Sequence, residues 1–446
     1  MVIAGGGFGG FYAAKTLGRL LPHHSARIRV VNDVNFMLYT PLLPGAAAGT
    51  LEPRHVVVPL REQLGQNVDL RLGRILGATP ERNRLQIQNL EGEAEELAYD
   101  HLIVTVGSVS RTLPVPGLAE HALGFKSLPE AIGLRNHVVR TLETAETLED
   151  GDARREHLTY VFIGAGYAGL EGIAELQDFV ADVMEMYPRC RVTGTRWILV
   201  EANDRVMPEI GSRLADFATR ELRRRGIDIR TSTTLDEVTS HDARLSDGDV
   251  IPTRTVVWTA GVKPAPVASQ FGLPLDERGR IICDSSLQVQ GHTNVWALGD
   301  CASVPDPARK GQPCPPTAQH AIRQGRVAAR NVATAIHGGR KRRFRYKTKG
   351  VFVDMGRREA VAETLGLRWS GLPAWLLARS YHLAMMPGLG RRARLLVDWN
   401  IGLVFGRDTA ELGGLGPARP LGVELQADGG NGAAPERASS GSVTKT

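Results

Sequence analysis

Two short stretches decide the fold of this chain: residues 2–10 read VIAGGGFGG, and residues 161–169 read VFIGAGYAG. Each has the spacing G-x-G-x-x-G directly after an apolar run and directly before a helix-like stretch. In such a unit the first glycine permits a tight turn, the second lets backbone amides approach a pyrophosphate, and the third lets helix and strand pack closely. One copy alone could be an ordinary turn, but two copies in this context predict two dinucleotide-binding sites. The glycines concerned are Gly5, Gly7 and Gly10 in the first turn and Gly164, Gly166 and Gly169 in the second.

The residue that ends the strand after each turn distinguishes the two sites. An acid at this place normally accepts hydrogen bonds from the ribose hydroxyls. In the second unit the strand ends in Glu201, whose charge repels a 2′-phosphate and predicts a preference for NADH over NADPH. In the first unit the strand ends in Asn32, followed by Asp33. Either residue can contact a ribose, although Asn32 does so without charge assistance.

Three later strand-like runs also end in glycine. Gly107 lies in VTVGS, Gly261 lies in WTAGV, and Asp300 lies in VWALGDCA. The first two resemble strands that carry the chain past bound cofactors, and the third resembles a second FAD motif in which Asp300 contacts the ribityl chain. In this order, the runs predict a flavoprotein that binds FAD at one turn and a nicotinamide nucleotide at the other.

Composition sets limits on the class of protein. The 446 residues, 42% hydrophobic and 23% charged, describe a globular α/β chain with more than one domain. The four cysteines contain no C-x-x-C pair, which favours a reducing compartment and argues against a disulfide framework or a metal site. We expect no signal peptide and no membrane-spanning helix. Residues 340–347 are polybasic but hold one Phe and one Tyr, so we expect no nucleic-acid binding.

Strands alternate with helical stretches, which predicts parallel sheets built from βαβ units. The fold class is therefore α/β, with two Rossmann-like domains and a C-terminal region of mixed aromatic, leucine and arginine residues. The tail is rich in Gly, Ala and Ser and is expected to be disordered. The predicted segments are an FAD domain from 1–112 and 281–345, an NADH domain at 113–280, the C-terminal region at 346–412 and the tail at 413–446.

The sequence resembles the type II, non-proton-pumping NADH:quinone oxidoreductases. Residues 35–61, residues 166–176 (GYAGLEGIAEL) and the C-terminal runs LPAWLLARSYHL and RRARLLVDW resemble segments of that family. Residues 318–324, AQHAIRQ, match its A-Q-x-A-x-x-Q signature at the quinone pocket. The resemblance covers about residues 1–412. It implies a tightly bound FAD that takes hydride from NADH and passes two electrons to a membrane quinone.

The same resemblance implies residue roles. Gln319 and Gln324 would lie beside the isoalloxazine and donate to a quinone carbonyl, and Ala318 would leave room for flat rings. Glu171 would lie where nicotinamide and flavin stack. The alternative for Glu171 is a first-turn glutamate that the helix dipole favours. No side chain need act as a nucleophile, because the flavin carries the redox chemistry.

The C-terminal resemblance implies peripheral contact with the cytoplasmic side of the cell membrane. Aromatic, leucine and arginine residues together suit an amphipathic helix in the lipid interface. The alternative is a helix pair that packs on the protein's own sheet or against a second subunit, so a homodimer is compatible with the same segment.

Two other classes of flavoprotein share this plan. Disulfide reductases need a C-x₄-C pair after the first turn, and no cysteine precedes Cys190, which excludes them. Sulfide:quinone oxidoreductases need redox cysteines beside the flavin, and Cys301 with Cys314 could serve, although packing roles are favoured. A flavin-binding redox sensor without catalysis also stays open.

Overall fold

The computed structural model describes residues 1–22, 25–208, 211–309, 311–348, 350–364 and 366–411. Within these residues the architecture is α/β, with two five-stranded parallel sheets. This confirms the predicted α/β class with two parallel sheets built from βαβ units. The predicted disordered tail, 413–446, lies outside the described residues.

The first sheet contains the strand that leads into the first glycine turn. Its central strand is completely buried and pairs in parallel on both sides, with Val2 opposite Arg29 and Leu102. Helix Phe8–Leu20 follows the turn and packs against helix Ala318–His337. The strand order is Val295–Ala297, Leu102–Val104, Val2–Ala4, Ile28–Asn32 and Val68–Leu72.

The second sheet repeats this plan around the second glycine turn. Its central strand, Thr159–Ile163, is buried along its whole length and runs into helix Tyr167–Val183. Apolar side chains cover both faces of the sheet, as expected for parallel strands. The strand order is Ala122–Gly124, Thr255–Trp258, Thr159–Ile163, Arg196–Val200 and Ile227–Arg230.

The chain passes between the two sheets through a two-stranded antiparallel ribbon. Strand Ser108–Ser110 follows Gly107 and pairs with Val262–Pro264, which follows Gly261. Gly107 and Gly261 have φ values of 72° and 86°, a backbone conformation that glycine adopts without a steric cost. Both glycine-ended runs therefore lead from a parallel strand into this crossing.

After the first-sheet elements the chain forms a small C-terminal unit. Three antiparallel strands, Gly350–Asp354, Ala360–Thr364 and Leu367–Ser370, precede helices Leu372–Met385 and Leu389–Val404. One side of these helices packs inward through residues such as Trp375 and Trp399. Among the described residues, no helix is both long enough and apolar enough to cross a bilayer.

The other elements flank or connect these sheets and helices. The remaining strands are Phe36–Leu38 with Val57–Pro59, Arg74–Thr79 with Arg84–Gln88 and Ala94–Ala98, Leu235–Val238 with Asp242–Leu245 and Val250–Pro252, and Ile281–Ile282 with Ala302–Ser303. The remaining α-helices are Leu43–Ala47, Leu60–Gln63, Leu118–His121, Leu128–Thr147, Gly151–His157, Pro188–Thr193 and Ser212–Arg224.

Candidate active site

The three glycines of the first turn are required for two different reasons. Gly5 has φ 109°, and a Cβ built on it would lie 2.3 Å from the oxygen of Thr105. A Cβ on Gly10 would lie 1.9 Å from the oxygen of Gly5. The protein's own packing therefore excludes side chains at these two positions. A Cβ on Gly7 would meet nothing within 4 Å, so a side chain there is unfavourable only if a ligand comes close.

The second turn repeats this arrangement. Gly164 has φ 103°, and a Cβ on it would lie 2.8 Å from Ala260. A Cβ on Gly169 would lie 1.9 Å from the oxygen of Gly164, whereas one on Gly166 would meet nothing within 4 Å. In both turns the middle glycine leaves room on the outer side, next to the N-terminus of the following helix. That is where a phosphate group binds in a dinucleotide site.

The residues at the ends of the following strands close the two turns by accepting a hydrogen bond from a backbone amide of each turn. The Oδ1 atom of Asn32 accepts a hydrogen bond from the Gly6 amide at 2.7 Å. The Oε2 atom of Glu201 accepts one from the Ala165 amide, also at 2.7 Å. Asp33 is exposed to solvent. Of the two candidates in the first unit, Asn32 is therefore the one that contacts the turn.

Asp300 is the middle residue of the short turn Gly299–Cys301 that follows strand Val295–Ala297. The hydroxyl of Ser108, the residue after Gly107, donates a hydrogen bond to Oδ2 of Asp300 at 2.6 Å. Gly107 and Asp300 are thus neighbours at the end of the first sheet, where the first glycine turn also lies. Sequence reasoning did not identify Ser108 as a residue of this site.

The two glutamines of the AQHAIRQ segment do not come together. Gln324 is 1% exposed, and its Oε1 accepts a hydrogen bond from the Gly299 amide at 2.8 Å. Gln319 is half-buried; its Nε2 donates to the Gly350 oxygen at 3.0 Å and its Oε1 accepts from the Tyr346 hydroxyl at 2.6 Å. Five residues of helix separate the two positions by about 140°. Ala318 begins the helix and lies beside Gln319.

Tyr346 was also missed in the sequence, because it lies in the polybasic run. Along this run Phe344 and Tyr346 are buried while Arg345 is exposed, as alternation in an extended segment requires. The guanidinium of Arg323 lies over the Tyr346 ring at 4.0 Å from the centroid. The sequence signal that could have predicted the burial of Tyr346 was the presence of aromatic residues at alternate positions within a basic run.

Glu171 lies in a buried carboxylate cluster with Glu175 and Asp354. Oε1 of Glu171 accepts a hydrogen bond from the Asp354 amide at 3.0 Å. Burial raises the pKa of Glu171 well above its ordinary value, and the nearby carboxylates of Asp354 and Glu175 raise it further. Burial also raises the pKa of Asp354 to about 7, against the opposing effect of Arg379. A cavity of about 40 Å³ adjoins these carboxylates, which is room for a water molecule.

The four cysteines are free and buried. Burial raises the pKa of Cys301 and of Cys314 to about 11, so both thiols are protonated at neutral pH and poorly suited to redox exchange. In the part of the chain that the structure describes, no group of three or more His, Cys, Asp or Glu side chains is arranged to hold a metal ion.

Two further residues have packing contacts. His382 is largely buried, its Nδ1 lies 3.3 Å from the Tyr39 hydroxyl, and burial lowers its pKa to about 4. The indole of Trp258 donates to the Arg111 oxygen at 2.7 Å.

Comparisons with known proteins identify the family. Residues 1–325 match the family described as pyridine nucleotide-disulphide oxidoreductase. The chain is 30% identical over 414 residues to the demethylphylloquinone reductase NdbB of Synechocystis, covering 89% of this chain and 96% of that one. It is 28% identical over 415 residues to the type II NADH:quinone oxidoreductase Ndh of Mycobacterium tuberculosis, covering 90% and 87%.

The fold is also that of a solved relative. The structure of NDH2 from Plasmodium falciparum in complex with NADH superposes with a TM-score of 0.85 at 18% identity, covering 92% of this chain and 99% of that one. The chain therefore belongs to the type II NADH:quinone oxidoreductases, FAD-dependent members of the pyridine nucleotide-disulphide oxidoreductase family that pass electrons from NADH to a quinone.

Proposed function

We propose that this chain binds FAD at the first glycine turn and NADH at the second, and that it reduces a membrane quinone without pumping protons. The observation that carries the proposal is the matched pair of turns. In each turn, a side chain on the middle glycine would meet no protein atom, whereas the first and third glycines have no room for a side chain. Two such turns in one chain fit two nucleotides. We propose the domain division 1–112 with 281–345 for FAD and 113–280 for NADH on the same basis.

The residues of the first site fit a tightly bound FAD. Gly7 leaves room for the pyrophosphate, Asn32 fixes the turn and can meet a ribose hydroxyl, and Gly107 with Asp300 lies at the same edge of the sheet. When bound, FAD supplies the two-electron chemistry that side chains alone do not. The protein's part is to orient the ring and to keep water from it.

The second site fits NADH. Glu201 is almost fully buried and uses Oε2 to hold the Ala165 amide and Oε1 to hold the Asn203 amide. The Glu201 carboxylate can still accept a hydrogen bond from a ribose hydroxyl, and its negative charge repels a 2′-phosphate. Gly261, at the end of the neighbouring strand, lets the chain pass this site without a side chain in the way.

We assign proton storage to Glu171. Burial raises the pKa of its carboxyl well above the ordinary value, which favours the protonated form. Since Oε1 accepts the Asp354 amide, the proton resides on Oε2. A quinone needs two protons when it is reduced, and a protonated carboxyl at the start of helix Tyr167–Val183 is a source of one.

The glutamines have different roles in this proposal. Gln319, next to Ala318, is half-buried, and the Nε2 proton that does not go to the Gly350 oxygen can be donated to a quinone carbonyl. Gln324 is 1% exposed and its oxygen accepts the Gly299 amide, so it supports the turn that carries Asp300. We therefore expect Gln319→Ala to raise the quinone KM and Gln324→Ala to weaken FAD retention. An unchanged quinone KM in the double variant would contradict the quinone role of Gln319.

We propose that helices Leu372–Met385 and Leu389–Val404 contact the cytoplasmic surface of the cell membrane. Val397, Ile401 and Val404 recur at helical spacing, and all three are exposed. Arg394 is exposed on the same helix, where it can meet anionic lipid headgroups. The free cysteines fit a reducing compartment. A homodimer formed through the same face is the second candidate.

Two changes on that face test the membrane contact. Val397→Asp with Ile401→Asp should move the protein from the membrane to the soluble fraction, because charged side chains are costly in the lipid interface. Leu90→Asp with Val192→Asp adds the same charges at exposed apolar positions elsewhere and should leave membrane binding unchanged. Membrane retention of the first variant, with loss of a dimer on gel filtration, would support the homodimer instead.

The function itself is tested by the spectrum of the purified protein. We expect a yellow preparation whose flavin absorbance is bleached by NADH and restored by a soluble quinone. Bleaching by sulfide but not by NADH would support a sulfide:quinone oxidoreductase. A flavin that NADH reduces but that quinone does not reoxidise would support a redox sensor.

A further inference from the structure

Lys126 has no part in the reaction as described so far, yet its position is closely fixed. It lies between strand Ala122–Gly124 of the second sheet and helix Leu128–Thr147. Its amide donates to Oε2 of Glu130 at 2.8 Å, and Ser127 with Glu130 forms a capping box at the start of that helix. The backbone of Lys126 is therefore held by a rigid helix N-terminus.

The side chain of Lys126 reaches the first site through Ser108. Its Nζ donates to Oγ of Ser108 at 3.0 Å, and the Ser108 hydroxyl donates to Oδ2 of Asp300 at 2.6 Å. An ammonium group can only donate hydrogen bonds, and serine has a single hydroxyl proton. The Ser108 proton must therefore point at Asp300, so the direction of this chain of hydrogen bonds is fixed.

The three residues come from three different parts of the fold. Lys126 belongs to the second sheet's domain, Ser108 to the ribbon that joins the sheets, and Asp300 to the turn after a strand of the first sheet. All three are half-buried. A carboxylate that a cofactor covers loses its hydration, which is costly unless a cation or donors compensate it. Lys126 supplies that cation through one intervening hydroxyl.

We propose that Lys126 is a positioning residue for FAD, which acts through Ser108 to hold the Asp300 carboxylate with Oδ1 free for a ribityl hydroxyl of the cofactor. The inference rests on the proposed binding of FAD at the first turn. Loss of Lys126 frees the Ser108 hydroxyl to rotate and leaves Asp300 without its nearby cation. We expect FAD to dissociate about tenfold faster, the size of one charge-assisted hydrogen bond.

The test compares Lys126→Met with Lys263→Met in the purified holoenzyme. Lys263 lies exposed on the ribbon strand that pairs with Ser108–Ser110, so its loss removes the same charge from the same neighbourhood. FAD release after dilution is followed by flavin fluorescence. We expect faster release for Lys126→Met and an unchanged rate for Lys263→Met. Lys126→Arg should keep most of the retention, since it still donates to Ser108.

A double-mutant cycle tests whether Lys126 acts through Ser108. Ser108→Ala should also speed FAD release, and Lys126→Met with Ser108→Ala together should be no faster than the more affected single variant. Additive effects would overturn the proposal, because Lys126 would then act by another route. Ser108→Ala removes one half-buried hydroxyl and provides the same test if Lys126→Met fails to fold.

A second readout separates positioning from structural damage. Lys126 lies in the second sheet's domain, so a loss of structure there should weaken binding of NAD⁺, which does not reduce the flavin. We expect the Kd for NAD⁺ to be unchanged in Lys126→Met. Equal weakening of NAD⁺ and FAD binding would show a structural role and overturn the proposal. A wild-type chain without FAD would instead refute the proposed function, whereas a yellow wild type with unaltered release in Lys126→Met would refute this inference alone.

Discussion

The two glycine turns can be compared atom by atom. In both, a Cβ on the third glycine would lie 1.9 Å from the oxygen of the first, and a Cβ on the middle glycine would meet nothing. In both, a side-chain oxygen from the next strand accepts a turn amide at 2.7 Å. The difference is charge, because Asn32 closes the first turn and Glu201 closes the second. The backbone geometry is thus common to the two turns, and under the proposed function the closing side chain selects which nucleotide binds.

The helices after the two turns extend this difference. Helix Phe8–Leu20 contains no acidic residue, whereas helix Tyr167–Val183 buries Glu175 and Asp178 and places Glu171 in the same cluster. Asp178 pairs with buried Arg225 at 2.6 Å. The helix after the second turn therefore buries carboxylates, whereas the helix after the first turn has none.

The largest effects are expected when a side chain is added to the third glycine of each turn. Gly10→Ala should abolish FAD binding, because its Cβ has no room unless the helix moves away from the turn. Gly169→Ala has the same clash in the second turn and should leave the protein yellow but unresponsive to NADH. Flavin content and bleaching by NADH measure the two outcomes. Loss of FAD from both variants, or normal bleaching in Gly169→Ala, would show that the turns do not serve separate nucleotides.

The next largest effect is expected from removal of the charge of Glu201, the residue that closes the second turn. Glu201→Gln should lower the preference for NADH over NADPH about a hundredfold in kcat/KM, since it removes both a charge-assisted hydrogen bond and the repulsion of a 2′-phosphate. Steady-state rates with the two nucleotides measure the ratio. Asn32→Asp, which changes charge at the matching place in the first turn, should leave the ratio unaltered. An unchanged ratio in Glu201→Gln would remove Glu201 from nucleotide selection.

A smaller effect is expected from the carboxylates near the second turn. The pKa of Asp354 is about 7 in the folded chain and has an ordinary value of 3.8. The folded chain therefore binds more protons between these pH values, and the stability that this group contributes below pH 3.8 is lost as the pH rises through 7. Asp354→Asn cannot ionise, so its gain in Tm over the wild type should be a few degrees at pH 8 and smaller at pH 5.

Thermal unfolding at the two pH values measures this gain. Asp33→Asn removes an exposed acid beside the first turn and is the matched control, for which no pH-dependent difference is expected. A gain in Asp354→Asn that is equal at both pH values would mean that burial does not hold the proton on Asp354.

The smallest effect should come from the closing residue of the first turn. In Asn32→Asp the carboxylate can accept the Gly6 amide with charge assistance, but the hydrogen bond from Nδ2 of Asn32 to the Val34 oxygen is lost. The two changes oppose each other, so FAD retention should stay within about threefold of the wild type. A change of more than tenfold in the rate of FAD release would show that this side chain, as well as the glycine geometry, governs the first site.

The local part of the site could be predicted from the sequence. The spacing of Gly5, Gly7 and Gly10 directly specifies a turn between strand and helix. The atoms that exclude a side chain at Gly5 and Gly10 belong to the turn itself or to the end of an adjoining strand. The same holds for the second turn and for the strand-end position of Glu201. The family resemblance was confirmed by the comparisons, and it rested on such local segments.

Residue partnerships across the fold could not be predicted in this way. Gln319 and Gln324 share a segment, but their partners, Tyr346, Gly350 and Gly299, lie in other segments. Which side of a helix faces which neighbour depends on packing that no short motif encodes.

By itself the sequence determined two glycine turns, their order and the charge that distinguishes them, since these depend on backbone conformation over a few residues. Only the tertiary structure decided that Asp354 lies against Glu171 and that Lys126 reaches Asp300 through Ser108. Burial and charge pairing arise when distant segments are packed together, and the chain's chemistry at neutral pH depends on both.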